Sequence, residues 1–276
     1  MPDGTCRLCL TPNVRLRDSH FVPRSFYKLL HERGLPVTSS PTMSMISGKQ
    51  ASDYLLCDGC EQRFNHGGEQ YVRANCWDSP TEFPLRATLL AFGPSALSSE
   101  DLTIFESVGV PGVDRDKLVY FGMSVFWRAA VHKWSMPAGD PVPINLGPYE
   151  DPIRRYLLGN ADFPGRAVVL VSVSHSMEEM KNKSFTPPWL FKREGGHHQF
   201  KMIVPGVTYQ LFLGKVMPTA LREMCTARSR NGLIFMSPKT DDVNLQGALD
   251  MLKNSRRVGK LAKSDEAIIS DGKTTR

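Results

Sequence analysis

Two Cys-x-x-Cys pairs, Cys6 with Cys9 and Cys57 with Cys60, constrain this chain more than any other feature. Each spacing lets two sulfurs reach one ion from a tight turn. Together the pairs supply four thiolates, enough to close a tetrahedral zinc shell with no position left open for a substrate. A closed shell is structural, and its binding free energy becomes folding free energy, which helps a segment with a thin hydrophobic core. Four unliganded thiols, or one redox pair, is the competing reading, and the presence of two pairs weighs against it. Cys76 and Cys225 stand alone.

The cysteines also bear on compartment. Residues 1–6 contain no basic stretch followed by an apolar core, so no secretion signal is expected and a cytoplasmic location is. In a reducing compartment paired cysteines are better explained by metal than by disulfides. No apolar run approaches the roughly 18 residues needed to cross a bilayer, so no membrane partner is expected. The formal net charge of +6 and a pI of about 9.0 are compatible with a polyanionic partner.

At 276 residues the chain sits near the size at which one core divides. The expected organisation is a zinc module over residues 1–80, an α+β domain over 81–237 and a helix with a basic tail over 238–276. In the first part, residues 23–34 predict a short helix entered beside Pro23 and closed by Gly34. Residues 36–52 predict a loop or weak hairpin, and a second helix starts at or just after Cys57, with Gly67 and Gly68 interrupting or ending it. In the second part, residues 116–134 are apolar nearly all round and predict a core helix, with a shorter helix at 148–158. Residues 167–173, 200–204, 207–213 and 232–236 predict strands, with a Pro205-Gly206 turn between the middle two. The fold class expected is therefore α+β, with helices preceding a small, mainly antiparallel sheet. No phosphate-loop or dinucleotide-binding glycine pattern is present.

A further pattern surrounds the cysteines: Cys6-x-x-Cys9, then Ser19-His20-Phe21-Val22-Pro23, then Leu55-Leu56-Cys57-x-x-Cys60-Glu61. It resembles the zinc-bearing, treble-clef (ββα-metal) branch of the HNH endonuclease superfamily over roughly the first 75 residues. A Ser124-x-x-Trp127-Arg128 helix resembles a bacterial subgroup carrying these variants, for which a defence or mobile-element setting is implied. The resemblance implies that His20 is the general base that draws a proton from water for attack on a phosphodiester, with one Mg or Mn ion assisting. Packing beside the zinc loop is the alternative role for a histidine there. Ser19 stands where the family carries a metal ligand, the family asparagine maps near Ser52 and Asp53, and the final family histidine maps onto Glu61. Glu61 can serve a hard cation, and Asn65, four residues on, shares its face of a helix.

Arg24 and Lys28, on the helix after His20, and Arg63 are candidate phosphate contacts, with DNA the implied partner. Residues 81–237 offer a surface for a protein partner. Two functions follow as expectations: a metal-dependent nuclease, or a catalytically inactive zinc-stabilised module that binds nucleic acid or protein.

Overall fold

Two sheets organise the chain, and one hydrophobic core joins them. The computed structural model describes residues 1–26, 37–39, 42–46, 50–77, 82–134, 144–175, 184–236, 253–260 and 262. The smaller sheet has the order β1 (Asp3–Gly4), β2 (Val14–His20) and β5 (Ser52–Cys57). The larger contains β3 (Val37–Ser39), β4 (Met43–Ile46), β6 (Thr103–Glu106), β7 (Ala167–Val173), β8 (Ser184–Glu194), β9 (His197–Val204), β10 (Val207–Gly214), β11 (Leu233–Met236) and β12 (Arg256–Val258). These lie side by side as β12-β4-β3-β8-β9-β10-β7-β11-β6.

The centre of the large sheet follows directly from composition. Every residue of β7 is buried, because a strand that is apolar at all positions but Ser172 has apolar side chains for both faces. β10 pairs with it antiparallel over its length and returns to β9 through Pro205 and Gly206, whose φ of 80° suits glycine. The chain is thus mixed α and β, and the large sheet is mostly antiparallel, with parallel pairs at β11–β7, β3–β8 and β12–β4.

The expectation of a small sheet is corrected: among the described residues the larger sheet has nine strands. The extra width has identifiable sources. The hairpin β3–β4, from the stretch between β2 and β5, docks on β8, and β12 then adds beside β4. Part of the basic segment near the C-terminus is therefore strand, not tail or helix. β8 escaped sequence reading because Pro187 and Pro188 argue against a strand interior. Its pairing with β9 shifts register between Thr186 and Trp189, which accommodates the two missing donors.

Among the described residues the α-helices include α1 (Asp58–Phe64), α2 (Gln70–Val72), α3 (Pro84–Phe92), α4 (Arg115–Val131), α5 (Glu150–Leu157) and α6 (Thr219–Glu223). α4 is capped by Asp114, whose side chain accepts from the Lys117 amide at 3.0 Å. It is the core helix that its composition predicts, buried from Leu118 through Ala129 except at Tyr120, which is half-buried. It lies between the large sheet and a helical rod that continues α1. That rod does not stop at Gly67-Gly68, as expected, but runs on as a π-turn (Asn65–Glu69) into α2 and a second π-turn (Arg73–Trp77).

The glycines serve the crossing with α4. A Cβ on Gly68 would come within 2.6 Å of Lys117 O and 2.8 Å of Phe121 N, and one on Gly67 within 2.5 Å of the Tyr120 ring. Only a hydrogen fits. Among the described residues no helix is long and apolar enough to cross a membrane.

Candidate metal centre and the polar site beside it

The four paired cysteines come together. Residues 6–11 turn tightly, with the Leu10 amide bonded to Cys6 O at 2.9 Å and the Cys6 amide to Thr11 O at 3.0 Å. Leu10 closes the turn at a φ of 62°, in the left-handed region. The Arg7 amide ties this turn to Leu55 O of β5 at 3.1 Å, and Arg154 of α5 braces it by donating to Leu8 O at 2.9 Å. Cys57 ends β5 and caps α1, and Cys60 lies in the first turn of that helix.

All four sulfurs lie within 4.8 Å of one another, and Cys9 Sγ is 3.9 Å from Cys57 Sγ. A tetrahedron with metal–sulfur bonds of about 2.3 Å has edges of about 3.8 Å, so the group has the dimensions of a four-thiolate shell. The Cys60 thiol holds Cys6 well below the ordinary thiol range, helped by the Cys57 and Cys9 amides, while the same contact pushes Cys60 up. A bound dication lets all four ionise together. The cluster can therefore hold a metal ion, and its soft donors suit zinc.

Beside it lies a second, polar site. The β2–β5 pairing bulges between Arg17 and Asp18, where those neighbours face Leu56 and Tyr54 and Leu55 is the extra residue on β5. The bulge breaks alternation, so that Asp18 is exposed and Ser19 is buried. Asp18 therefore does not enter the site. Ser19 Oγ accepts from the Leu56 amide at 3.2 Å and donates to Glu61 Oε1 on α1. Burial pushes the Glu61 carboxyl above its ordinary value, against the opposing pull of Arg128 and of the Ser19 hydroxyl; His20 also lowers it. His20, the last residue of β2, is half-buried beside this pair.

Arg128 of α4 binds the site from the other side. Its guanidinium donates to the carbonyls of His20 and Phe21, each at 3.3 Å, pairs with Glu69 Oε1 of the first π-turn and lies 4.6 Å from the Phe64 ring centroid. It is 2% exposed, so the charge is held by these partners and not by water. One turn further along, His132 Nε2 meets Asp53 Oδ2 at 3.0 Å, and Asp53 is the strand partner of Ser19. The polar site thus gathers Ser19, His20, Asp53, Glu61, Glu69, Arg128 and His132.

Not every expected residue joins it. Asn65 opens the π-turn one turn after Glu61 and is half-buried. Arg24 is exposed in the first turn after Pro23, while Lys28 lies outside the described residues. Arg63 reaches toward Gly159 beyond α5, with a nitrogen 3.5 Å from where a Cβ there would stand, which puts it away from Glu61. Among the described residues the cysteines form the one group of three or more metal-ligating side chains within 4.8 Å. The carboxylates near His20 are turned to other partners: Glu61 to Ser19, Glu69 to Arg128, Asp53 to His132.

Arg128, Glu69 and His132 were not assigned to the site by sequence. Arg128 left a signal all the same, as the lone cation within the apolar stretch at residues 118–131, where a buried charge requires a partner. No protein-family model, curated protein or solved structure matches the chain.

Proposed function

We propose that the chain is a metal-dependent nuclease of the HNH type, cleaving phosphodiester bonds in DNA, with His20 as general base. In this reading the small β2–β5 pair, α1 and the cysteine cluster form a treble-clef, ββα-metal unit with structural zinc. The observation that carries the proposal is the Ser19–Glu61 hydrogen bond. These two positions, far apart in sequence, are the ones at which the resembling family places ligands of its catalytic ion, and here they touch, with His20 next to them.

His20 takes a proton from the attacking water, and imidazole is suited to that at neutral pH. Arg128 fixes its backbone through the His20 and Phe21 carbonyls, so the ring departs from an anchored strand end. Glu61 and Asn65 are the residues that would hold Mg or Mn, which supplies charge stabilisation at the phosphorus and the leaving oxygen. Glu61 must exchange its Ser19 contact for the cation as it does so.

One observation favours a second reading, a catalytically inactive zinc-stabilised module that binds nucleic acid or protein. Ser19 is a neutral hydroxyl at a ligand position, and the Glu61 oxygen is already engaged by it. A cleavage assay separates the two. Supercoiled, linear and single-stranded DNA and RNA are incubated with Mg, Mn or chelator, using wild type, His20→Ala and Glu61→Ala at matched zinc content. Metal-dependent cleavage lost in His20→Ala is the expected result; intact folding and DNA binding with no cleavage by wild type would sink the enzyme in favour of the binding module.

A further inference from the structure

A cleft away from the small sheet lies at the far end of α4. It has a volume of about 950 Å³ and opens between the C-terminal end of α4, residues 144–149 and the β8–β9–β10 face. Its floor is apolar, made by the buried Ile144, Leu146, Phe200 and Leu213. Its rim carries Lys133, Arg193 and Lys215, all exposed, and no carboxylate is among the residues that line it. None of the three cations has an ion-pair partner among the described residues.

Its walls add flat rings. Tyr149 is half-buried on one side. On the other, β9 begins after the Gly195-Gly196 turn and sends its first two side chains to opposite faces: His197 packs on Phe212, while His198 is exposed into the cleft. An apolar floor, two flat rings and a rim of unpaired cations match a molecule with a planar apolar body and a negative edge.

The cleft also adjoins the His20 site. His132 lines it and is bonded at 3.0 Å to Asp53, the strand partner of Ser19. His132 follows Arg128 by four residues, and Arg128 holds the His20 carbonyl. A strand whose phosphates lie along Lys133, Arg193 and Lys215 is therefore led toward His20.

We propose that this cleft binds a nucleotide unit of a single-stranded nucleic acid, with the base over the apolar floor beside Tyr149 and His198 and the phosphates on Lys133, Arg193 and Lys215. The proposal deepens the nuclease reading by naming where substrate is held, but binding alone tests it. The probe is a fluorescein-labelled 12-residue oligonucleotide, followed by anisotropy without added divalent ions, with unlabelled duplex and a mononucleotide as competitors. The variants are Lys133→Glu, Arg193→Glu and Lys215→Glu in the full chain, and Arg230→Glu in a separate surface hollow is the control.

Each rim variant is expected to weaken binding by about tenfold and to flatten the salt dependence by about one unit of slope, with Arg230→Glu near wild type. Competition by the mononucleotide would show that a free nucleotide suffices, and its failure that a strand is required; both agree with the site. Wild-type binding unchanged in all three rim variants, or no binding of the oligonucleotide at all, would overturn it. Oligonucleotide binding that the rim variants weaken, with no cleavage by wild type in any metal, removes the nuclease assignment and leaves this site standing.

Discussion

Ser19 of β2 and Glu61 of α1 share a hydrogen bond in which a buried hydroxyl satisfies a carboxylate that burial would otherwise leave uncompensated. The pair fixes the end of the strand that carries His20 against the first turn of the helix that carries Cys60. Its chemistry leads to the first prediction. Ser19→Asp would set two carboxylates against each other, and Mn should then stabilise the variant, raising its thermal unfolding midpoint by several degrees, while barely moving wild type. Equal shifts in both proteins would mean that this position does not face an ion site.

Replacing Arg128 by leucine strands the Glu69 carboxylate and removes the donor to two carbonyls. A loss of about 3–5 kcal/mol in urea unfolding is expected. Arg128→Lys keeps the charge without the planar fork, so it should recover part of the stability and little of the cleavage rate.

Gly68 and Gly59 of the helical rod predict opposite signs. Gly68→Ala drives a methyl into the backbone of α4 and should destabilise by about 1–3 kcal/mol. Gly59 in α1 has nothing within 4 Å of its Cβ position, and Gly59→Ala should stabilise by up to about 1 kcal/mol. Chemical denaturation of both variants at the same zinc content measures the contrast.

Cys60→Ser should release the bound metal and cost on the order of several kcal/mol, because the shell's binding energy is folding energy. Metal analysis of the purified protein beside circular-dichroism melting checks this. Cys225→Ser, at a buried cysteine that is not one of the four clustered ones, should leave metal content unchanged.

What the chain disclosed in advance divides along a physical line. The cysteine cluster, α4, β7 and the β9–β10 hairpin were legible, because spacing and unbroken apolar runs encode them locally. β8 was hidden by its prolines, and the β3–β4 hairpin was foreseen only as weak, since its docking partner lies far along the chain. The Arg128–Glu69 and His132–Asp53 contacts were hidden for the same reason: each joins α4, or the residue that caps it, to the first eighty residues, and no local pattern reports such a meeting.

The route of the backbone has a topological consequence. The chain leaves the small sheet at His20, enters the large sheet as β3 and β4, and returns at Ser52, directly across from where it left. The excursion into the large sheet thus begins and ends on a single rung of the small one, so the His20–Ser52 pair is at once the end of one ladder and the gateway to the other.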